Sequence, residues 1–169
     1  YFDQGMYSWN HLAGAAMERY GADRLTIPVE LNEREIRDSG VQGEMIVYGY
    51  LPMMISAQCI RKTTLGCSGK SEIMWLKDRK DMRFPVVNQC RFCYNTIYNS
   101  APLSLLGLSE QVTGLKPNAV RLNFTVEEPA AAGEILDAFF EEYGMSEKAA
   151  EPPVLRNQFT RGHFKRGVE

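Results

Sequence analysis

Four cysteines are the residues of this chain best suited to chemistry, and all of them fall between positions 59 and 93. Seven residues separate Cys59 from Cys67, twenty-two separate Cys67 from Cys90, and two separate Cys90 from Cys93. A Cys-x-x-Cys pair lets one turn present two sulfurs to a single centre, and a second pair brought in by the intervening loop completes four thiolates. Zinc and iron–sulfur clusters both accept that set, and spacing alone does not separate them. The gap between Cys59 and Cys67 is wider than a zinc-ribbon knuckle, which weighs against zinc. Two disulfides, a redox dithiol and four small core side chains are the other readings. A thioredoxin-type pair opens a helix, whereas "CRFCYNTIYN" has no helical apolar period, and a polar, basic window is a poor place for core filler.

The charge around these cysteines is uneven. Residues 61–91 carry eight Lys/Arg against three Asp/Glu, although the whole chain has a net charge of −2. Such a block offsets anionic thiolates, meets the phosphates of nucleic acid, or simply stands in solvent. A second basic run closes the chain. There Arg161, His163, Lys165 and Arg166 alternate with Phe159 and Phe164. That mix would grip a phosphate or carboxylate while stacking on a base, which makes these four the candidate substrate-binding residues. The competing reading is a tail that folds back, buries its phenylalanines and closes the fold. His11 and His163 are the only histidines. His11 belongs to a helix start, and His163 is a candidate base, alone or paired with a cysteine. Glu30 is the second catalytic candidate, because it lies at a predicted strand end; Asn32 beside it reads equally well as a helix cap.

The elements that must position these groups alternate between strand and helix. Helical spacing of Met6, Trp9, Leu12, Ala13, Ala16, Met17 and Tyr20 predicts a first helix, stopped by Gly21. "RLTIPVEL" reads as a buried strand with Pro28 near its end. Asn32 and Glu35 form a capping pattern for the short helix "EREIRDS". "EMIVYGYLPMMIS" is a strong strand interrupted near Gly49 and Pro52. An irregular, cysteine-bearing excursion over 59–100 follows, with short strands at "IMWL" and "FPVV". "APLSLLGL" and "SEQVTGL" suggest short helices, "AVRLNFTV" a buried strand, and Pro129 opens an amphipathic helix ended by Gly144. This pattern predicts an α/β domain over 1–144 with a mainly parallel sheet, a polar linker over 145–158, and a closing segment over 159–169. Asn95 and Asn99 are expected to tie the loop backbone after the Cys-x-x-Cys pair. No apolar run spans a membrane, no signal peptide is visible, and the clustered cysteines suit a cytoplasmic thiolate site. With no initiator methionine, the chain reads as a piece of a longer protein.

Several long strings carry a family resemblance. "IVYGYLPMMISAQC", "DRKDMRFPVVNQCRFCYNTIYNSAPLSLL", "VRLNFTVEEP" and "FTRGHFKRGVE" resemble, in order, the C-terminal half of the collagenase-like peptidase family U-thirty-two. "LTIPVELN" resembles the strand that precedes them there. The resemblance implies a TIM-like barrel of which this chain supplies only the later βα units. It also implies a role for several members in oxygen-independent hydroxylation or modification of RNA bases, or of a quinone precursor, with a cysteine-bound [4Fe-4S] cluster. Cys59 falls on a cluster-cysteine position. Quinone-pathway relatives place a further cysteine after the Gly-x-Leu of that motif, where this chain has Pro52. The remaining ligands would then come from Cys67, Cys90 and Cys93. Two other functions stand beside this one. The first is a collagenase-like protease, for which no H-E-x-x-H helix is present; the second is a non-catalytic binding domain stapled by zinc. The partners expected are the missing N-terminal half of the same protein, an RNA or protein substrate, and a second copy. A half barrel with open sheet edges favours such a homodimer, and by itself it would be inactive.

Overall fold

A computed structural model describes residues 1–145 and 158–167 of the protein. It is a mixed α/β fold built on two sheets. Strand β1 (Glu44–Gly49) is its central element, with every residue but the first buried. Its neighbours are β7 (Ala119–Asn123), which runs parallel to it, and the two-residue β6 (Leu103–Ser104), which runs antiparallel. Parallel bridges extend the arc beyond β1, from Glu44 to Thr26 and from Leu25 to Phe2. Four chain segments thus lie side by side in sequence order, and helices punctuate them: α1 (His11–Arg19), α2 (Glu33–Ser39), α4 (Ser109–Gly114) and α5 (Pro129–Glu142).

Local chemistry sets the boundaries of these elements. The side chain of Asn10 accepts from the backbone N–H of Ala13, so the first helix begins at residue 11 and not at Met6. Its expected apolar stripe is core only in part: Met17 packs against a small cluster of Ala22, Leu25 and Val41, whereas Leu12 and Tyr20 are 69% and 84% exposed. Asn32 and Glu35 complete the capping box that their spacing predicts. "RLTIPVEL" shrinks to the bridges at Leu25 and Thr26, since Pro28 has no N–H to give a ladder and residues 29–30 turn away. The helix expected over "APLSLLGL" is replaced by β6. There Ser104 and Leu105 donate their backbone N–H groups to Thr160 and Val47, so adjacent strand edges win over a local turn.

The mainly parallel sheet is corrected most clearly in the excursion. The short strands expected at "IMWL" and "FPVV" are present as β3 (Ile73–Lys77) and β4 (Arg83–Gln89), and with β2 (Pro52–Ser56) and β5 (Tyr94–Tyr98) they form not an irregular excursion but a wholly antiparallel sheet in the order β2-β5-β4-β3. Apolar and β-branched pairs hold it, among them Val86 opposite Ile97 and Leu76 opposite Phe84. The charged run that looked like loop is only a tight turn, in which Asp78 accepts from the N–H groups of Lys80 and Met82. Among the described residues the strands do not close into a barrel.

One main core lies between β1 and the helices, where Val47, Leu106, Val112, Ile135 and Phe139 meet. Phe164 joins it at 4% exposure, and Thr160 bridges to Leu103, so the closing segment is part of the domain. The linker expected over 145–158 lies almost wholly outside the described residues. No helix among them is long and apolar enough to cross a membrane.

Two glycines report on this packing in opposite directions. At Gly49, φ is +146° and an added Cβ would sit 2.3 Å from the Asn123 carbonyl oxygen on β7. Gly133, inside α5, has open space around it. Urea denaturation should show Gly49→Ala losing about 3 kcal/mol or more, while Gly133→Ala gains about 0.5–1 kcal/mol.

Candidate metal-binding site

Cys90 and Cys93 sit at the turn that joins β4 to β5. Cys59 is the N-cap of the short helix α3 (Ile60–Thr64), and Cys67 lies on the loop that follows. Three separate chain segments thereby deliver all four cysteines to the wall of one cavity of about 460 Å3, which Lys62, Asn88 and Tyr94 also line. All four are free thiols, so the disulfide reading is not realised in this structure.

Two buried carboxamides position these segments. Asn88 on β4 and Asn95 on β5 stand directly opposite each other, at 1% and 0% exposure. Asn95 donates to the carbonyl of Gln58 at 2.8 Å, immediately before Cys59. Asn88 accepts from the N–H of Glu72 and donates to the carbonyl of Lys70 at 3.3 Å, which fixes the strand lead that follows Cys67. Cys90 is bound to the same lead: its thiol donates to the Lys70 carbonyl at 2.9 Å, and its N–H to the Ser71 hydroxyl at 3.3 Å. One amide pair therefore registers the cysteine-bearing segments against each other. Asn95 does tie the backbone as its type suggests, whereas Asn99 reaches only its neighbour Ser100. Asn88 escaped sequence reasoning, although an asparagine after a β-branched run, in "FPVVNQC", is a polar group that must find buried partners.

The environment suits anionic sulfur held by a cation. Partial burial, and then the nearness of Cys67, Cys59 and Cys93, pushes the Cys90 thiol above its usual range. Negative charge on all four would accumulate in one place, and a metal centre among them removes that penalty. Donors already face two of the sulfurs: Asn88 Nδ2 is 3.6 Å from Cys90 Sγ, and the Lys62 N–H is 3.5 Å from Cys59 Sγ. Such bonds to sulfur are a known lever on the potential of a thiolate-bound centre. Cys93 holds a left-handed backbone at φ +56°, which a non-glycine residue adopts only at a cost. By donor type and by these bonds the residues fit a thiolate-ligated centre. All four cysteines line the cavity, and among the described residues no three His, Cys, Asp or Glu side chains are close enough together to hold a single metal ion as they stand.

The other candidates lie elsewhere. Glu30 and His163 share a second cavity, of about 560 Å3, that no cysteine lines, so no Cys–His pair is assembled. Of the basic closing run, Arg161 donates to the Ser104 and Leu106 carbonyls at 2.8 and 2.6 Å and packs its guanidinium over Phe159 at 4.7 Å. Lys165 stands 3.9 Å from Glu33 and Arg166 is exposed. The reading in which the tail folds back is thus the one realised, and Arg161 serves the fold. Asn32 is a cap, and exposed His11 opens α1. No family model, no characterised protein and no solved structure matches the chain.

The amide pair is testable without any metal. Asn88→Ala strands the Glu72 N–H and removes one of the two donors to the Lys70 carbonyl, and should cost about 1–3 kcal/mol in urea unfolding. The Cys90 thiol should also react faster with a thiol reagent, while Asn99→Ala changes neither.

Proposed function

We propose that the protein holds a [4Fe-4S] cluster on Cys59, Cys67, Cys90 and Cys93, and that this centre supports hydroxylation of an RNA base or a similar substrate. The observation that carries the reading is the delivery of four free thiols, from three separate segments, to one cavity of about 460 Å3. When bound, such a group supplies one-electron transfer. The chain's own residues would ligate it, tune it through the N–H groups of Asn88 and Lys62, and offset its charge with Lys62 and the basic window around it. Thiolates around a single zinc lie about 3.8 Å apart, from Zn–S bonds of ~2.3 Å.

In this proposal the arc from Phe2 through Thr26, β1 and β7 corresponds to later βα units of a TIM-like barrel, with the antiparallel sheet inserted after β1. The succession of parallel neighbours in chain order supports that correspondence. It accords with the resemblance to the collagenase-like peptidase family U-thirty-two. A peptidase reading gains no support from Glu30 and His163, which stand apart from every thiol. Strand β2 is an exposed edge, which suits a partner: a second copy of the chain or another part of the same protein.

A zinc staple is the second reading, and the placement of a Cys-x-x-Cys pair in a β-hairpin turn favours it. Anaerobic purification separates the two. The cluster reading expects brown protein with about four iron and four sulfide per chain, lost when Cys90 and Cys93 are both replaced by serine. Colourless protein that carries stoichiometric zinc, and that reconstitution with iron and sulfide leaves colourless, would overturn it.

A further inference from the structure

The turn that carries Cys90 and Cys93 also carries Arg91 and Phe92, and holding a metal needs neither. Phe92 is 66% exposed, yet its ring is not isolated. It stacks on Tyr94 with 6.3 Å between ring centroids and 24° between planes, and the Arg91 guanidinium lies over it at 5.3 Å. The turn itself is closed by the Phe92 N–H, which donates to the Gln89 carbonyl at 3.0 Å. Tyr94 lines the thiol cavity, so aromatic surface continues from the cavity wall out to solvent.

Charge at the same mouth is of one sign. Lys62 lines the cavity, Lys70 follows Gly69 of the same wall, and Arg91 stands between the two lining cysteines of the turn. No Asp or Glu is among the lining residues. Elsewhere in the basic window Arg61 pairs with Glu72 and Lys77 with Asp81, whereas among the described residues no ion pair holds Lys62, Lys70 or Arg91. Offsetting a thiolate centre accounts for unpaired cations. It does not account for an aromatic stack turned to solvent beside them.

We propose that this rim docks single-stranded RNA, with a base stacked on Phe92 and neighbouring phosphates met by Arg91, Lys62 and Lys70. The inference rests on the RNA reading above and deepens it, by naming the surface that holds the strand beside the thiols. Aromatic rings that take the faces of bases, next to cations that take phosphates, hold single strands with little regard to sequence. A duplex keeps its base faces stacked inside, so the Phe92 ring has nothing to meet there.

Fluorescence anisotropy of a labelled, mixed-sequence RNA of about twelve nucleotides, titrated with the full chain, tests this. Phe92→Ala should weaken binding about tenfold or more, and Phe92→Tyr should restore most of the loss. Because Phe92 is exposed, the variant keeps the packing of the sheet. Arg91→Ala should flatten the slope of log affinity against log salt by about 0.7, whereas Lys80→Ala, at the far turn between β3 and β4, should change affinity less than about twofold. DNA of the same sequence, if bound equally, overturns the choice of RNA and leaves the stack. Affinity that survives Phe92→Ala, equal affinity for the duplex, or displacement of the RNA by an acidic peptide of equal charge would overturn the proposal outright. Iron and sulfide are assayed in the same preparation. Colourless protein that binds the strand contradicts the cluster alone, and brown protein that does not bind it contradicts the docking surface alone.

Discussion

Asn88 and Asn95 face each other across the β4–β5 hairpin, shielded from solvent, and each spends its amide on the backbone of a different cysteine-bearing segment. Burying a carboxamide is unfavourable unless its groups are matched; the donors of both amides are matched to backbone carbonyls, which restricts the chain around them, while Asn95 Oδ1 has no partner among the described residues. The lead into β3 is held to one amide, and the lead into α3 to the other. Cys59, Cys67 and the hairpin pair acquire their common cavity as a consequence. The thiols contribute little of this order themselves: Cys90 alone makes a close bond to a neighbouring segment, at the Lys70 carbonyl.

Below the excursion, the same economy of backbone groups explains the rest of the fold. β1 uses both edges, one for β7 and one for β6, while its first residue also meets Thr26. Gly49 lets β1 approach Asn123 closely at the point where the chain leaves for the excursion. The closing segment then seals the opposite edge. Phe164 enters the core, Thr160 pairs with Leu103, and Arg161 donates to the carbonyls of Ser104 and Leu106. Within its basic and aromatic alternation, packing accounts for Phe164 and Arg161, while His163, Lys165 and Arg166 stay exposed.

Much of this was legible in the residues because local chemistry decided it. The capping box at Asn32 and Glu35, the break between β1 and β2 near Gly49 and Pro52, and the Pro129 start of α5 all follow from single side chains. What the sequence concealed depends on partners distant in the chain. The window 59–100 looks irregular because its strands are short and its turns are charged, and its order comes from cross-strand pairing that no local pattern displays. "APLSLLGL" is apolar enough for a helix, yet it finds Val47 and Thr160 first. For the site, the clustering of cysteines announced a common purpose, but not the asparagines that gather them. Nor did it show that Glu30 and His163 would line a cavity that holds no thiol.

The central claim is that four cysteine sulfurs surround one multi-atom iron centre. X-ray absorption at the iron edge, on protein prepared and reconstituted without oxygen, addresses that directly. The expected result is iron with an all-sulfur first shell and a short iron–iron scattering path, both lost together when Cys59 is replaced by serine. Iron bound only through nitrogen or oxygen, or a signal that survives the loss of Cys59 unchanged, would contradict the account.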